Sequence, residues 1–217
     1  MLEKKVSLVA SRNTSSLPSY KYESLMLFCT SMLNVSSPII RNIKIAIQFS
    51  TENCNISDLK HRVDNLTIPA THYHNFSVVR ESFVYSVFWS CGYINITKIR
   101  SFADINAAKT TILNILQLTP SDLIRDYSLH NICASGSFSN RLDLEKLTSI
   151  WSRKEGFRVR KNLSTFPALF VKCSNLGTCV LFQSGKYSLV GVREEKNLVI
   201  LLDHISRDIS QQNGLFS

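Results

Sequence analysis

Glycine is scarce in this 217-residue chain, with only 7 residues, and none of them gathers into the loop that cradles a nucleotide phosphate. The 6 cysteines, Cys29, Cys54, Cys91, Cys133, Cys173 and Cys179, are scattered without a C-x-x-C pair. No His stands at ligand spacing to them: His61, His72, His74, His130 and His204 have no Cys or carboxylate placed as a metal site requires. Small buried thiols are therefore expected, and neither a metal nor a cofactor. Long apolar runs are missing too. Met1 to Val6 has no apolar core of an export signal, and Ser24 to Leu33 is too short and too polar to span a bilayer. An intracellular, soluble protein is expected, and the N-x-Ser/Thr triplets opened by Asn13, Asn34, Asn55, Asn65, Asn75, Asn95 and Asn162 then reflect only a chain rich in those residues. Nor does a catalytic constellation emerge. Asp143 with Glu145, and Glu194 with Glu195, read as carboxylates at helix starts, where the dipole favours them.

What is present is apolar bulk and positive charge. Hydrophobic residues make up 44% of the chain, enough for a substantial core. The formal net charge of +9 favours an anionic partner, with nucleic acid first and an anionic membrane or acidic protein next.

Residues 1–37 are mixed and Ser-rich, an extension with room for a short helix around Tyr22 to Leu33. From Ile39 to Phe49 the run IIRNIKIAIQF alternates as a half-buried strand does. A short helix is expected at Ser57 to Val63. Strands follow at Phe76 to Arg80, Phe83 to Trp89 and Tyr93 to Thr97, with a tight turn at Glu81-Ser82. Ser101 to Gln117 then has the apolar spacing of an amphipathic helix. The same order recurs: strand Leu129 to Phe138, helix Leu142 to Arg153, strands around Phe166 to Lys172, Gly177 to Phe182 and Lys186 to Val190, and helix Glu194 to Ile209. Landmarks keep a nearly constant offset. It is 89 from Asn42-Ile43 to Asn131-Ile132, 90 from Phe76 to Phe166, and 93 from both Trp89 to Phe182 and Gly92 to Gly185. The chain thus divides into an extension (1–37), a first repeat (38–119) and a second (120–217).

The second repeat carries Phe166-Pro167-Ala168-Leu169-Phe170-Val171-Lys172 and, after it, Val180-Leu181-Phe182-Gln183-Ser184-Gly185-Lys186-Tyr187-Ser188-Leu189-Val190-Gly191. This resembles the TATA-binding protein pattern FPGLIYR…LIFVSGKVVLTG, and Asn131-Ile132 resembles its Q-N-M/I-V element. The first repeat follows in register at Asn42-Ile43, Phe76, Val87-Phe88-Trp89, Gly92 and Thr97. The resemblance implies an α+β saddle: two pseudo-symmetric repeats forming one curved antiparallel β-sheet, with helices on the convex face and the minor groove of A·T-rich double-stranded DNA on the concave face. It implies wedge aromatics at Phe76 and Trp89 and at Phe166 and Phe182, which enter base steps at a cost of a few kcal/mol of unstacking. Phe88 competes with Trp89, because a one-residue shift matches F-x-S at the expense of Gly92. Asn42 and Asn131 would sit near the pseudo-twofold axis, each able to donate to the N3 and O2 acceptors of A·T pairs. Lys172, Lys186 and Arg80 match positions that reach phosphates. Val87, Tyr93, Thr97, Val180 and Val190 complete the implied DNA-binding surface with Lys44 and Cys133.

The chain departs from the pattern in places. Lys44 and Cys133 stand where the family has Val, and Val190 replaces a Thr that Thr97 keeps in the first repeat. The segment from Phe76 to Trp89 is shorter than that from Phe166 to Phe182, which clips the first turn. Lys161-Asn162-Leu163-Ser164-Thr165 lacks the acidic stretch by which the family docks transcription factor IIB. A non-enzymatic, nuclear transcription initiation factor that binds and bends promoter DNA is expected. Its partners would be IIB-like or IIA-like factors or RNA polymerase subunits, with no membrane; a virus-encoded relative would act where the virus is transcribed. The alternative is a protein-interaction scaffold that has lost DNA bending.

Overall fold

Ile39–Phe49 forms strand β1, whose Ile43, Ile45, Ile47 and Phe49 are wholly or almost wholly buried while Asn42, Lys44 and Gln48 alternate onto the opposite side. That period of two is what a strand needs when one face is covered. The computed structural model describes residues 35–51, 75–80, 82–162 and 166–212. The following elements are β2 (Asn75–Arg80), β3 (Phe83–Phe88), β4 (Tyr93–Ile99), α1 (Asp104–Leu116), β5 (Leu123–Ser137), α2 (Leu144–Trp151), β6 (Phe157–Asn162), β7 (Ala168–Cys173), β8 (Gly177–Phe182), β9 (Lys186–Val192) and α3 (Glu195–Gln212). All described strands join one antiparallel sheet in the order β2-β3-β4-β1-β5-β9-β8-β7-β6. Helix α1 packs on β4, α2 on β6 and β7, and α3 on β8 and β9. The apolar core lies between this helical face and the sheet. Among the described residues the other face is open.

The two repeats meet at β1 and β5. Ile43 pairs with Ile132, Asn42 with Cys133, and Lys44 with Asn131, so exchanging the strands returns the same arrangement about the Ile43–Ile132 pair. The irregularities nearest this pair obey the same symmetry, while two further slips, between Ala46 and Gln48 and between Gln48 and Phe49, have no counterpart. The β1–β5 register slips at Arg41 and at its counterpart His130, and β4 and β9 bulge where they meet β1 and β5. Paired bulges bend and twist their strands, and they give the sheet its curvature.

Turn chemistry repeats as well. Gly92 and Gly185 take φ of 64° and 88°, and each carbonyl accepts the backbone N–H of a Phe at the end of the long strand: Phe49, the last residue of β1, at 2.8 Å, and Phe138, the residue after β5, at 2.9 Å. A Cβ on Gly92 would lie 2.2 Å from the Phe49 carbonyl oxygen. The core compensates where the repeats differ. In the first, Ile47 pairs with Ile94; in the second, Gly136 pairs with Tyr187, whose ring occupies the room left by the missing side chain. Tyr187 stacks on Phe138 at 5.4 Å and donates its hydroxyl to the Ser36 carbonyl at 2.9 Å. Burial pushes that phenol well above its ordinary range, so it stays a neutral donor.

The expected strand at Ile39 to Phe49 and the strand at Gly177 to Phe182 coincide with β1 and β8, whereas β5 begins six residues before the expected Leu129. Strand β6 was not expected at all. Its sequence, FRVRKN, places basic residues on one face and so lacks an apolar stripe long enough to read. Val35 and Ser36 fall in the expected extension, yet Val35 bridges to Phe138 and Ser36 bonds to Ser137 in both directions. The helix expected at Ser57 to Val63 and the one around Tyr22 to Leu33 lie outside the described residues.

The compensation is testable by a double-mutant cycle. Gly136→Ile overpacks against Tyr187, and Tyr187→Ile leaves a cavity; the pair together, copying Ile47 and Ile94, is expected to be less destabilised than the sum of the two by about 1–3 kcal/mol in urea unfolding. Strict additivity would show that the two sites are not coupled.

Candidate nucleic-acid interface

At the centre of the open face, the two Asn side chains are held alike. Asn42 Oδ1 accepts the backbone N–H of Lys98 at 2.6 Å, and Asn131 Oδ1 accepts that of Gly191 at 2.8 Å. Lys98 and Gly191 are the left-handed residues of the two bulges, with φ of 65° and 74°. A bulge leaves a ladder N–H unpaired, and each Asn satisfies it. Fixing Oδ1 also fixes Nδ2, the donor end of each amide. Asn131 Nδ2 lies 3.2 Å from Cys133 Sγ, which places the thiol on the same face. Lys44, the symmetry counterpart of Cys133, sits beside Asn131, so the centre carries a cation on one side of the axis and a thiol on the other.

Aromatic side chains mark the ends of the face, though not all where the sequence pattern placed them. Phe166 is 45% exposed, stands edge-on to Phe182 at 5.5 Å and touches Phe170 at 5.9 Å. The cross-strand pairs Phe182–Ala168 and Phe170–Val180 put these side chains on the open face together with Val180. In the first repeat the corresponding strand-end residue is Phe88, half-buried and opposite Tyr93. Trp89 instead turns into the core, 6% exposed, and packs on Phe49 at 5.3 Å. The reason is local: the loop between β3 and β4 has one residue more than that between β8 and β9, and Trp89 supplies the aromatic contact on Phe49 that Tyr187 gives Phe138. Phe76 is buried as well, paired with the fully buried Val87. Its counterpart by pairing is Leu169, opposite Leu181, and not Phe166. The same shift maps Phe166 onto Tyr73, outside the described residues. The Phe76, Val87 and Trp89 side chains therefore belong to the core in this structure, and the sequence offset of 90 at Phe76 misled because it ignores strand pairing.

The remaining expected residues divide by strand alternation. Tyr93 and Thr97 on β4, Lys186 and Val190 on β9, and Lys172 on β7 alternate with buried neighbours and occupy the open face. Arg80 shares the parity of the buried Phe76 and Val78, which directs it to the helical side at the end of β2. Three residues were overlooked in the sequence: Phe170, and Arg158 and Arg160 of β6. Arg158 lies opposite Lys172 and Arg160 opposite Phe170. Only strand pairing brings them to the face, so no local signal announces them.

Charge separates the two faces. Among the described strands Asp126 is the one carboxylate, and it is tied to Lys109 of α1. Every other described carboxylate lies on the helices or in the turns beside them. Among the described residues no group of His, Cys, Asp and Glu can hold a metal ion, and no helix is long and apolar enough to cross a membrane. The buried thiols are inert: burial pushes Cys173 up to about 11 and Cys179 higher still. A carboxylate-free face with amide donors at its centre and aromatic side chains at its ends suits a polyanion that also presents acceptors and stackable rings.

Comparison with known proteins agrees with this geometry. Residues 126–212 match the family model described as transcription factor TFIID, or TATA-binding protein (TBP). Among solved structures, Methanococcus jannaschii TBP superposes with a TM-score of 0.64 at 18% identity, over 80% of this chain and 98% of that one. No curated protein sequence matches the chain.

The amide clamps make a stability prediction. Asn131→Ala orphans the Gly191 N–H and is expected to lower unfolding free energy by about 1 kcal/mol, whereas Asn131→Asp keeps the acceptor and stays within about 0.5 kcal/mol of the parent near neutral pH. Equal losses in the two variants, measured by denaturant unfolding, would contradict the clamp.

Proposed function

We propose that this chain, TBP-like over its second repeat and in its fold as a whole, is a non-enzymatic transcription initiation factor that binds A·T-rich duplex DNA through its concave face and bends it. The observation that carries the reading is the composition of that face: no described carboxylate, two symmetry-related Asn amides beside the axis, and exposed or half-exposed Phe at both ends. Asn Nδ2 donates to the N3 and O2 acceptors that A·T pairs present in the minor groove, where the G amino group would obstruct it. Phe166 and Phe182 at one end, and Phe88 at the other, act as wedges between base steps. Opening those steps costs a few kcal/mol, which the added contact of a bent duplex offsets. Phe88 takes the role that the sequence pattern offered to Trp89.

Lys44 and Cys133 bring a cation and a small polarisable group to a surface otherwise suited to the groove floor. Lys44 favours the narrow, strongly negative minor groove of A-tracts and need not demand a TATA sequence. The helical face, where Asp203, Asp208, Glu145 and Glu194 lie, is the side left for protein partners such as IIB-like or IIA-like factors or polymerase subunits. A nuclear location, or the site of viral transcription for a virus-encoded protein, accords with this role.

The test is a titration of end-labelled duplexes, following anisotropy and end-to-end energy transfer. Preferential binding of A·T-rich over G·C-rich duplex with a shortened end-to-end distance is expected, and the Phe88→Ala, Phe182→Ala double variant should lose the shortening and weaken binding about tenfold or more, since base–aromatic stacking contributes about 1–3 kcal/mol per base. Trp89→Phe should leave both intact. Composition-blind binding without bending, unchanged by the double variant, would leave the interaction scaffold as the better account.

Protection of a thiol gives an independent prediction. Bound duplex should slow alkylation of Cys133 on the concave face, as followed by peptide mass spectrometry. Alkylation of Cys133 at the same rate with and without duplex would place the DNA elsewhere.

A further inference from the structure

Among the described residues the concave face is unequal in charge between its two halves. On the second repeat it presents Arg158 and Arg160 of β6, Lys172 of β7 and Lys186 of β9, all exposed. In the first repeat the position equivalent to Lys172 is Val79, 63% exposed, and that equivalent to Lys186 is Tyr93. Ser77 and Ser86 stand where the second repeat has Phe170 and Val180. The first repeat's cations Arg41, Lys44 and Lys98 stand beside the axis, and away from it the described concave surface of the first repeat is uncharged.

Two features indicate that the basic group is arranged for an anion. Arg158 lies directly opposite Lys172 across the β6–β7 ladder, and like charges so placed repel unless something negative bridges them. None of the four cations has a carboxylate partner among the described residues, whereas Lys161, which alternates to the other face of the same strand, is paired with Glu145 of α2. Strand β6 thus sends its lone unpaired arginines to one face and its neutralised lysine to the other.

We infer that Arg158, Arg160 and Lys172, with Lys186, form a phosphate-anchoring site on one end of the saddle, and that this site fixes a single orientation of the protein on a duplex. The ligand class is the sugar–phosphate backbone of double-stranded DNA, so the inference rests on the DNA-binding reading above. The second repeat holds the backbone by charge, and the first makes neutral contacts through Val79, Ser86, Tyr93 and Phe88. Most of the salt dependence of binding then comes from one half of the molecule.

The experiment uses a palindromic A·T-rich duplex, so that sequence imposes no polarity, in two forms: fully charged, and with methylphosphonate linkages neutralising one half. Affinity for each is measured against salt concentration. The protein is expected to seat its second repeat on the charged half and to keep a salt slope within about 1 of that on the fully charged duplex. Arg158→Gln, Arg160→Gln, Lys172→Gln together should make the slope shallower by about 2 to 3, while Arg80→Gln, on the helical side, leaves it unchanged. Circular dichroism of the triple variant checks that it is folded. A slope halved by the half-neutral duplex, or untouched by the triple variant, would overturn the anchor while leaving DNA binding intact. Failure of the parent protein to bind any duplex would overturn the anchor together with the reading beneath it.

Discussion

The antiparallel pairing of β1 with β5 about Ile43 and Ile132 is the constraint on which the rest depends. Because both strands run through the middle of one sheet, each repeat must build outwards from its own long strand, and every device appears twice. The Phe that ends each strand bonds to a left-handed glycine, each bulge is closed by an Asn, and each repeat lays its meander beside its long strand. Since the described helices cover one face, the other is left bare by the described residues of both repeats. A bare, bent sheet with polar groups at its centre is what a curved polymer surface can occupy.

Symmetry of the backbone does not impose symmetry of the side chains. The core tolerates exchange of Ile47 and Ile94 for Gly136 and Tyr187 because the Tyr187 ring lies in the room that Gly136 leaves. It tolerates Trp89 in a loop one residue longer because the same contact on the strand-end Phe is restored. On the concave face no such compensation acts. There, Val79 against Lys172 and Tyr93 against Lys186 give the two halves different chemistry, and a ligand with its own polarity would sense the difference.

How much was legible in the sequence follows from the same distinction. Strand β1 was read to its ends because its apolar residues recur at every second position and one face is covered. The Asn pair was legible because each stands before an Ile in an equivalent strand. Phe166 and Phe182 were legible as a pair through a long matching motif, and the structure brings them together on the open face. The first repeat was harder. A one-residue difference in the loop after β3 decides between Phe88 and Trp89, and the pairing of β2 with β3 decides that Phe76 matches Leu169; neither is written in local sequence. Arg158 and Arg160 were missed because β6 has its charge on one face and only a short apolar face on the other.

The central claim is that the open face reads the minor groove. Duplexes in which inosine–cytosine pairs replace adenine–thymine pairs test it most directly, since they present an A·T-like minor groove beneath a G·C-like major groove. The account predicts that such a duplex is bound and bent as its A·T parent is. Affinity matching that of the G·C duplex would contradict it.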